Sequence, residues 1–215
     1  MVEQLKICLT DPVFMFTGFA SSLTIIFIFV FTSIIGELIL PFGIKSEETV
    51  EKMGFSLQCV GMVGGILSSL VLTAYPWLKL SNVLIVFSSI FATMFFDLAM
   101  QAGDETQLLI KSGAIGFCSL PIFMVAYELA VEQTMSKGVG ESMSCGLINT
   151  VGCFMSGVML LALTSTLNKE SKMGTRIVMQ VLYGCLVLSF FCQVIAFLIE
   201  SRRKRQQRKH NQLRQ

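Results

Sequence analysis

Two acidic residues, Glu128 and Glu132, stand four positions apart inside an otherwise apolar part of this chain. At that spacing both side chains project from one face of a helix. In surroundings of low dielectric, two neighbouring carboxylates do not both ionise easily, because burial and mutual repulsion oppose the second negative charge. The pair therefore suits the attraction of a cation or the uptake of a proton. The alternative to a binding role is a structural one, in which Glu132 lies at a hydrated helix end and Glu128 forms a hydrogen bond with a neighbouring hydroxyl or amide.

Further polar residues extend this candidate substrate- or ion-binding site. Tyr127 directly precedes Glu128, and the amides Gln58 and Asn149 lie in other apolar stretches that could line the same cavity. For each amide taken alone, a hydrogen bond between two helices is the favoured interpretation. Pro121 lies two turns before Glu128, where its missing backbone N–H is expected to kink the helix and help to open a cavity.

Five more residues indicate structure or gating rather than binding. The acids Glu37 and Asp97 stand close to the ends of apolar stretches, where ordinary contact with water is the favoured interpretation. Gly61 and Gly65 form a GxxxG pair, and Gly146 belongs to a second stretch rich in small residues. Small residues let helix backbones approach closely in lipid, where hydrophobicity gives no driving force for association. These glycines are typical of a packed bundle.

The segments that must position these residues are strongly apolar. Of 215 residues, 53% are hydrophobic and 14% are charged, whereas a soluble domain has about 25% charged residues. A helix needs roughly 20 mostly apolar residues to cross about 30 Å of hydrocarbon, and in lipid every backbone amide needs a partner within its own segment. The sequence therefore predicts an all-α membrane protein with six transmembrane helices. The predicted helices are Val13–Leu40, Thr49–Tyr75, Leu78–Met100, Gln107–Thr134, Ser142–Leu167 and Gly174–Ile199.

Three regions follow from this pattern: an N-terminal segment at 1–12, a six-helix bundle at 13–200 and a basic tail at 201–215. The tail carries seven Lys and Arg residues, which favours a cytoplasmic position for both termini. The loops alone carry more basic residues on the opposite side, so this orientation depends on the tail. The tail could bind anionic lipid or be a solvated topology anchor, and no folded basic domain accompanies it to indicate nucleic-acid binding.

The residue pattern gives no support for catalysis, disulfide bonds or zinc binding. The single histidine, His210, lies in the tail, so no Ser-His or Cys-His pair forms within the bundle. The seven cysteines include no CxxC pair and are interpreted as packing residues rather than disulfide or zinc ligands. The sequence therefore predicts a multi-pass protein of the plasma membrane or an endomembrane, without catalytic residues, cofactor or metal.

The residues around the acidic pair resemble a known family. Pro121 is followed by Tyr127-Glu128-Leu129-Ala130-Val131-Glu132, and Glu141 is followed by Ser144-Cys145-Gly146-Leu147. This pattern resembles the C-terminal half of the feline leukaemia virus subgroup C receptor-related transporters of the major facilitator superfamily. Ile35-Gly36-Glu37-Leu38 with Pro41-Phe42-Gly43 is similar to the end of that family's seventh helix. The chain departs from the family at Met135-Ser136, in place of a Tyr-Pro turn, and at Tyr75–Lys79, which lacks the aspartate of an acidic-basic signature.

The resemblance implies half of a major facilitator fold, with three plus three helices, and transport of haem, a choline-like amine or a related solute. An amine is favoured chemically, because Tyr127, the Phe27/Phe31 pair and Glu128 offer aromatic faces with an anion. Such carriers hold their substrate between two six-helix halves, so a second six-helix unit is expected as partner. The chain is then a fragment of a full carrier, a dimerising half-carrier or an inactive partner of another transporter. The alternative function is a membrane scaffold without transport.

Overall fold

Helices make up nearly all of the described chain. The computed structural model describes residues 2–44, 46–75, 77–135, 137–167 and 172–212, and no strand occurs within these ranges. The helices are α1 (Val2–Thr10), α2 (Pro12–Ile39, followed by a 3-10 turn at Leu40–Phe42), α3 (Glu47–Ala74), α4 (Leu78–Ala102), α5 (Glu105–Ser119), α6 (Ile122–Met135), α7 (Glu141–Leu167) and α8 (Lys172–Gln212). Six segments, with α5 and α6 counted as one, are long and apolar enough to cross a membrane. The predicted six-helix membrane fold is confirmed.

The helix ends follow from local sequence chemistry. At the start of α3, the Ser46 side chain accepts a hydrogen bond from the Thr49 N–H. At the start of α5, the Asp104 carboxylate accepts from the backbone of Thr106 at 3.0 Å, which satisfies a donor that has no partner inside the helix. Between these helices, α4 ends at Gly103, whose φ of +72° is a conformation that favours glycine. The turns are therefore short and well defined.

The predicted fourth membrane helix is interrupted at Pro121. The segment divides into α5 and α6, with Leu120 and Pro121 between them. Pro121 has no N–H to donate. Before it, the Leu120 N–H keeps its helical bond to Gly116 O, and after it the Phe123 N–H donates to Leu120 O, only three residues back. The break is the kink expected from the proline, and it lies at the level where α3 and α4 pass α5.

Helix α2 is the most deeply buried element and lies against α6, α7 and α8. Its buried hydroxyls join it to these neighbours: Ser22 donates to Ile148 O at 3.1 Å, and the Thr24 and Ser189 hydroxyl oxygens are 2.9 Å apart. In lipid such bonds contribute to helix association together with packing. The second half of the bundle, α3 and α4, packs around α5.

Glycines bring α3 and α5 into backbone contact. A Cβ on Gly116 would lie 2.8 Å from the Leu57 carbonyl carbon, and one on Gly64 would lie 2.6 Å from Phe117 O. Gly61 faces the same interface, where a Cβ would lie 2.9 Å from Gly116 O, whereas a Cβ on Gly65 would meet nothing within 4 Å. Of the two glycines in the predicted pair, the structure therefore places Gly61 in a close contact and leaves open space at Gly65.

One end of the bundle gathers the start of α2, the turn between α3 and α4, the turn between α6 and α7, and the exit of α8. We call it the tail-side end. Helix α1 packs there: Lys137 on the α6–α7 turn forms an ion pair with Asp11, and Gln4 donates to Gly138 O at 3.4 Å. Burial in this contact raises the pKa of the Cys8 thiol. The N-terminal segment is thus a packed helix at the tail-side end.

Helix α8 does not stop at the predicted boundary of Ile199 but continues to Gln212. The predicted tail is therefore helical as far as Gln212, and Arg214 lies outside the described residues. Which membrane face the tail-side end occupies stays a prediction. We expect a membrane-impermeant amine label to reach the tail lysines only after cells are permeabilised. Labelling of these lysines in intact cells would contradict the predicted cytoplasmic position of the tail.

Candidate functional site

The polar group predicted on the fourth and fifth membrane helices forms an exposed patch where α6 meets α7. The Tyr127 hydroxyl donates to Asn149 Oδ1 at 3.1 Å, and Cys153 lies beside the same oxygen at 3.7 Å. Glu128, the next residue on α6, is exposed, and no hydrogen bond or ion pair to its carboxylate occurs among the described residues. Glu128 lies seven positions before the end of α6 at Met135, a depth of about 10 Å at 1.5 Å per residue. A carboxylate at that depth requires a cavity or a partner, because exposure to hydrocarbon is costly.

Aromatic rings lead from α2 to this patch. Phe29 and Phe123 meet edge to face with centroids 6.0 Å apart, and Phe123 meets Tyr127 in the same way at 6.3 Å. Phe29 is exposed, whereas Phe123 and Tyr127 are half-buried. Ring faces beside a carboxylate are the chemistry that binds quaternary and primary ammonium groups. We call Phe29, Phe123, Tyr127, Glu128 and Asn149 the α6–α7 patch.

The expected contribution of Phe27 and Phe31 to an amine site is wrong. Both rings are fully buried, where they stack on each other at 5.6 Å, and Phe31 meets Phe96 edge to face at 5.1 Å. Phe29, rather than these two residues, meets Phe123, because a step of two residues turns a helix by about 200° and so selects its opposite face. Sequence could not choose between the two faces, since aliphatic and aromatic residues cover both.

Glu132 has a different environment from Glu128. Lys79 Nζ lies 3.6 Å from Glu132 Oε1, and the same ammonium forms an ion pair with Glu200 at the exit of α8. The Lys79 and Glu200 side chains are 20% and 18% exposed, whereas that of Glu132 is 49% exposed. Glu132 is therefore partly neutralised by a cation, and the two acids have different surroundings. The sequence offered no signal for Lys79 and Glu200, which lie more than one hundred residues apart.

Buried amides lie next to this ion pair. Asn82 and Gln193 are almost fully buried and share a small cavity with Gln133, Lys79 and Glu200. Gln133 donates to Thr17 Oγ1 at 3.3 Å. Among the described residues, Asn82 Oδ1, Gln133 Oε1 and both amide atoms of Gln193 have no hydrogen-bond partner. The tail-side end thus has a polar interior between α2, α4, α6 and α8.

We expect Lys79→Met to destabilise the bundle by roughly 1–3 kcal/mol. Removing one member of a buried ion pair costs about 3–5 kcal/mol, an exposed pair contributes about 0–1 kcal/mol, and this pair lies between the two. Thermal unfolding in detergent measures the difference. Lys52→Met is the matched control, because Lys52 pairs with Glu48 on the exposed face of one helix, with side chains 61% and 75% exposed. Equal shifts in the two variants would contradict the structural role of Lys79.

The remaining predicted residues lie apart from the patch. Gln58 is exposed on α3, and Gly146 is exposed on α7 with open space around it. Glu37 is exposed near the end of α2, and Asp97 accepts a hydrogen bond from Gln101 at 3.2 Å near the end of α4. Both acids belong to the end opposite the tail. No recorded contact among the described residues joins any of these four to Tyr127, Glu128 or Asn149.

The fold is that of a multi-pass integral membrane protein, and its six helices are consistent with one half of a major facilitator transporter. Several known transporters are similar to the chain in sequence. The choline/ethanolamine transporter FLVCR1 of Mus terricolor is 28% identical to the chain over 119 residues, and that of Mus musculus is 27% identical over 119 residues. An uncharacterized MFS-type transporter, C09D4.1 of Caenorhabditis elegans, is 22% identical over 118 residues. No family model matches the chain.

These matches cover 55% of the chain but only 20–21% of each relative, so the matched stretch spans about a fifth of the length of those proteins. They confirm the resemblance seen in the sequence. The chain is similar to half of a major facilitator transporter of the feline leukaemia virus subgroup C receptor-related type.

Proposed function

We propose that the chain is one six-helix half of a secondary carrier that moves a small cationic amine of the choline type across a membrane. The observation that carries the proposal is the α6–α7 patch. There the exposed Glu128 follows Tyr127 on α6, Tyr127 bonds to Asn149, and a row of rings leads from Phe29 to Tyr127. The carboxylate supplies attraction for a cation, and the rings supply faces on which methyl or methylene groups of an amine can lie.

The activities named for the relatives agree with this chemistry. Two of them are choline/ethanolamine transporters, and ethanolamine and choline both carry an ammonium group. Haem is the less favoured solute, because none of the six membrane-spanning segments contains a histidine for its iron.

A second six-helix unit completes the proposal. Carriers of this type hold their solute near the midplane, between two halves that rock against each other. The patch lies on the surface of the bundle, and α3 and α7 are its least buried membrane helices. A second unit, from the same or another chain, would cover the patch and turn it into an enclosed site. The second unit would also shield Glu128 from contact with hydrocarbon.

Uptake of radiolabelled choline and ethanolamine into proteoliposomes tests the proposal. The chain is reconstituted alone and together with a twelve-helix relative, and empty liposomes serve as the control. Saturable uptake above the control in either preparation is the expected result. Uptake that equals the control in the first preparation, and equals the relative alone in the second, would favour the alternative of a scaffold or regulatory partner without transport.

A further inference from the structure

We infer that a phospholipid acyl chain binds in a lateral groove between α3 and α4. The groove has a volume of about 490 Å³. Leu67 and Val71 on α3 form one wall, Leu84 and Phe87 on α4 form the other, and Phe117 and Pro121 form the floor. This site is separate from the α6–α7 patch, and the inference does not depend on the proposed function.

The groove results from the way that α5 spaces its neighbours. Helices α3 and α4 both pack on α5 but scarcely on each other. The contact of Gly64 with the Phe117 backbone draws α3 onto one side of α5, so that a gap opens towards α4. The break at Pro121 lies at the floor of this gap. No segment of the described chain fills it.

Three serines, at positions 68, 81 and 88, are the hydroxyl-bearing residues among the described residues that line the groove. They do not make it a site for a polar solute. Ser88 donates to Ile85 O of its own helix at 2.9 Å, so that hydroxyl is already satisfied. The other lining groups are predominantly apolar. Cavities of this kind do not hold water well, and the α3 and α4 walls of this one belong to helices long and apolar enough to cross a membrane. An acyl chain matches the groove in both polarity and location.

Aromatic residues mark the mouth of the groove. Tyr75 and Trp77 are 64% and 65% exposed, and their rings lie 6.2 Å apart in the turn between α3 and α4. Tyr and Trp at helix ends lie at the level of lipid headgroups. Val71 is one turn before Tyr75, and Ser81 is one turn after Trp77, so the groove opens at this level on the tail-side end.

The length of the groove agrees with a lipid tail. On α3 its lining residues extend from Val71 back to Gly64, and on α4 from Ser81 to Ser88. Seven residues of helix correspond to about 10 Å, which is about two thirds of one leaflet of a 30 Å hydrocarbon layer. The headgroup therefore stays at the interface, while the upper part of its acyl chain lies between the helices.

Photocrosslinking with a phosphatidylcholine that carries a diazirine in its acyl chain tests the inference. The full chain is placed in nanodiscs with this lipid, irradiated and analysed by peptide mass spectrometry. We expect adducts on the floor of the groove, between Phe117 and Val125. Ser68→Phe fills the groove from α3 and is expected to reduce these adducts at least fivefold, whereas Ser69→Phe is expected to leave them unchanged, because Ser69 is exposed and does not line the groove.

A second filling variant, Ser88→Phe, repeats the test from the opposite wall, and size-exclusion profiles confirm that each variant is folded. If the floor of the groove carries no adducts, or if Ser68→Phe and Ser69→Phe give equal amounts of adduct, the inference is wrong. Lipid would then contact this face only as it contacts the rest of the bundle surface. The same loss in both groove-filling variants, with the control unchanged, would establish the site.

Discussion

Glu128→Gln is expected to abolish amine uptake while the protein still reaches the membrane in normal amounts. The substitution retains the size of the side chain and removes its negative charge. Glu128 carries the one carboxylate among the five residues of the α6–α7 patch. Without it, the aromatic faces of Phe123 and Tyr127 attract an ammonium group weakly. We expect at least a tenfold loss of uptake at a fixed low amine concentration, equivalent to about 1.4 kcal/mol or more in binding.

Initial uptake rates measure this effect, with expression measured on the same samples. Glu37→Gln is the matched control, because Glu37 is also an exposed acid on a membrane helix but lies at the opposite end of the bundle. Its uptake is expected to equal that of the unaltered chain. Full uptake by Glu128→Gln would remove this carboxylate from the site, and an equal loss in both variants would show a general effect of charge.

Gly116→Ala is expected to have the largest effect on folding. An added methyl group would overlap the backbone carbonyl of Leu57, with its carbon 2.8 Å away, and backbone cannot move aside as a flexible side chain can. Overpacking of this kind costs about 1–3 kcal/mol and occasionally more. Gly64→Ala, which places a methyl group 2.6 Å from Phe117 O, should act in the same direction. Both variants are expected to lower the midpoint of thermal unfolding and the monodisperse yield in detergent.

Gly65→Ala separates this effect from helix propensity. An alanine at Gly65 would meet nothing within 4 Å, and alanine favours a helix over glycine by about 1 kcal/mol. The control is therefore expected to be neutral or slightly stabilising, although Gly65 directly follows Gly64. If all three variants unfold at the same temperature, the close approach of α3 and α5 does not contribute to stability.

Sequence was sufficient for the membrane helices because their signal is local. Each span is a long apolar run, and turn residues such as Gly103 and Asp104 delimit it within a few positions. The break at Pro121 was foreseeable for the same reason, since a missing N–H acts on its own helix. The extension of α8 was not foreseen, because a basic segment can be helical or irregular with equal ease when no apolar face is required of it.

The site was only partly predictable because it depends on which helix faces meet. Tyr127, Glu128 and Asn149 were expected to act together, and the structure records the hydrogen bond between the first and last of them. The choice between Phe29 and its neighbours Phe27 and Phe31 required the rotation of α2, which an almost uniformly apolar helix does not reveal. The ion pair of Lys79 with Glu200 required the packing of α4 against α8.

The central position of α2 has a consequence for how the protein is made. Its hydroxyl contacts connect Ser22 to Ile148 and Thr24 to Ser189, separations of 126 and 165 residues. During synthesis α2 therefore enters the bilayer well before α7 and α8, and its hydroxyls lack these partners until those helices arrive. An almost uniformly apolar helix tolerates that interval, and its small hydroxyls can bond temporarily to its own backbone, as Thr24 does to Ala20 O at 3.3 Å in the finished bundle. When α7 and α8 pack against α2, its hydroxyls gain the contacts of the finished bundle.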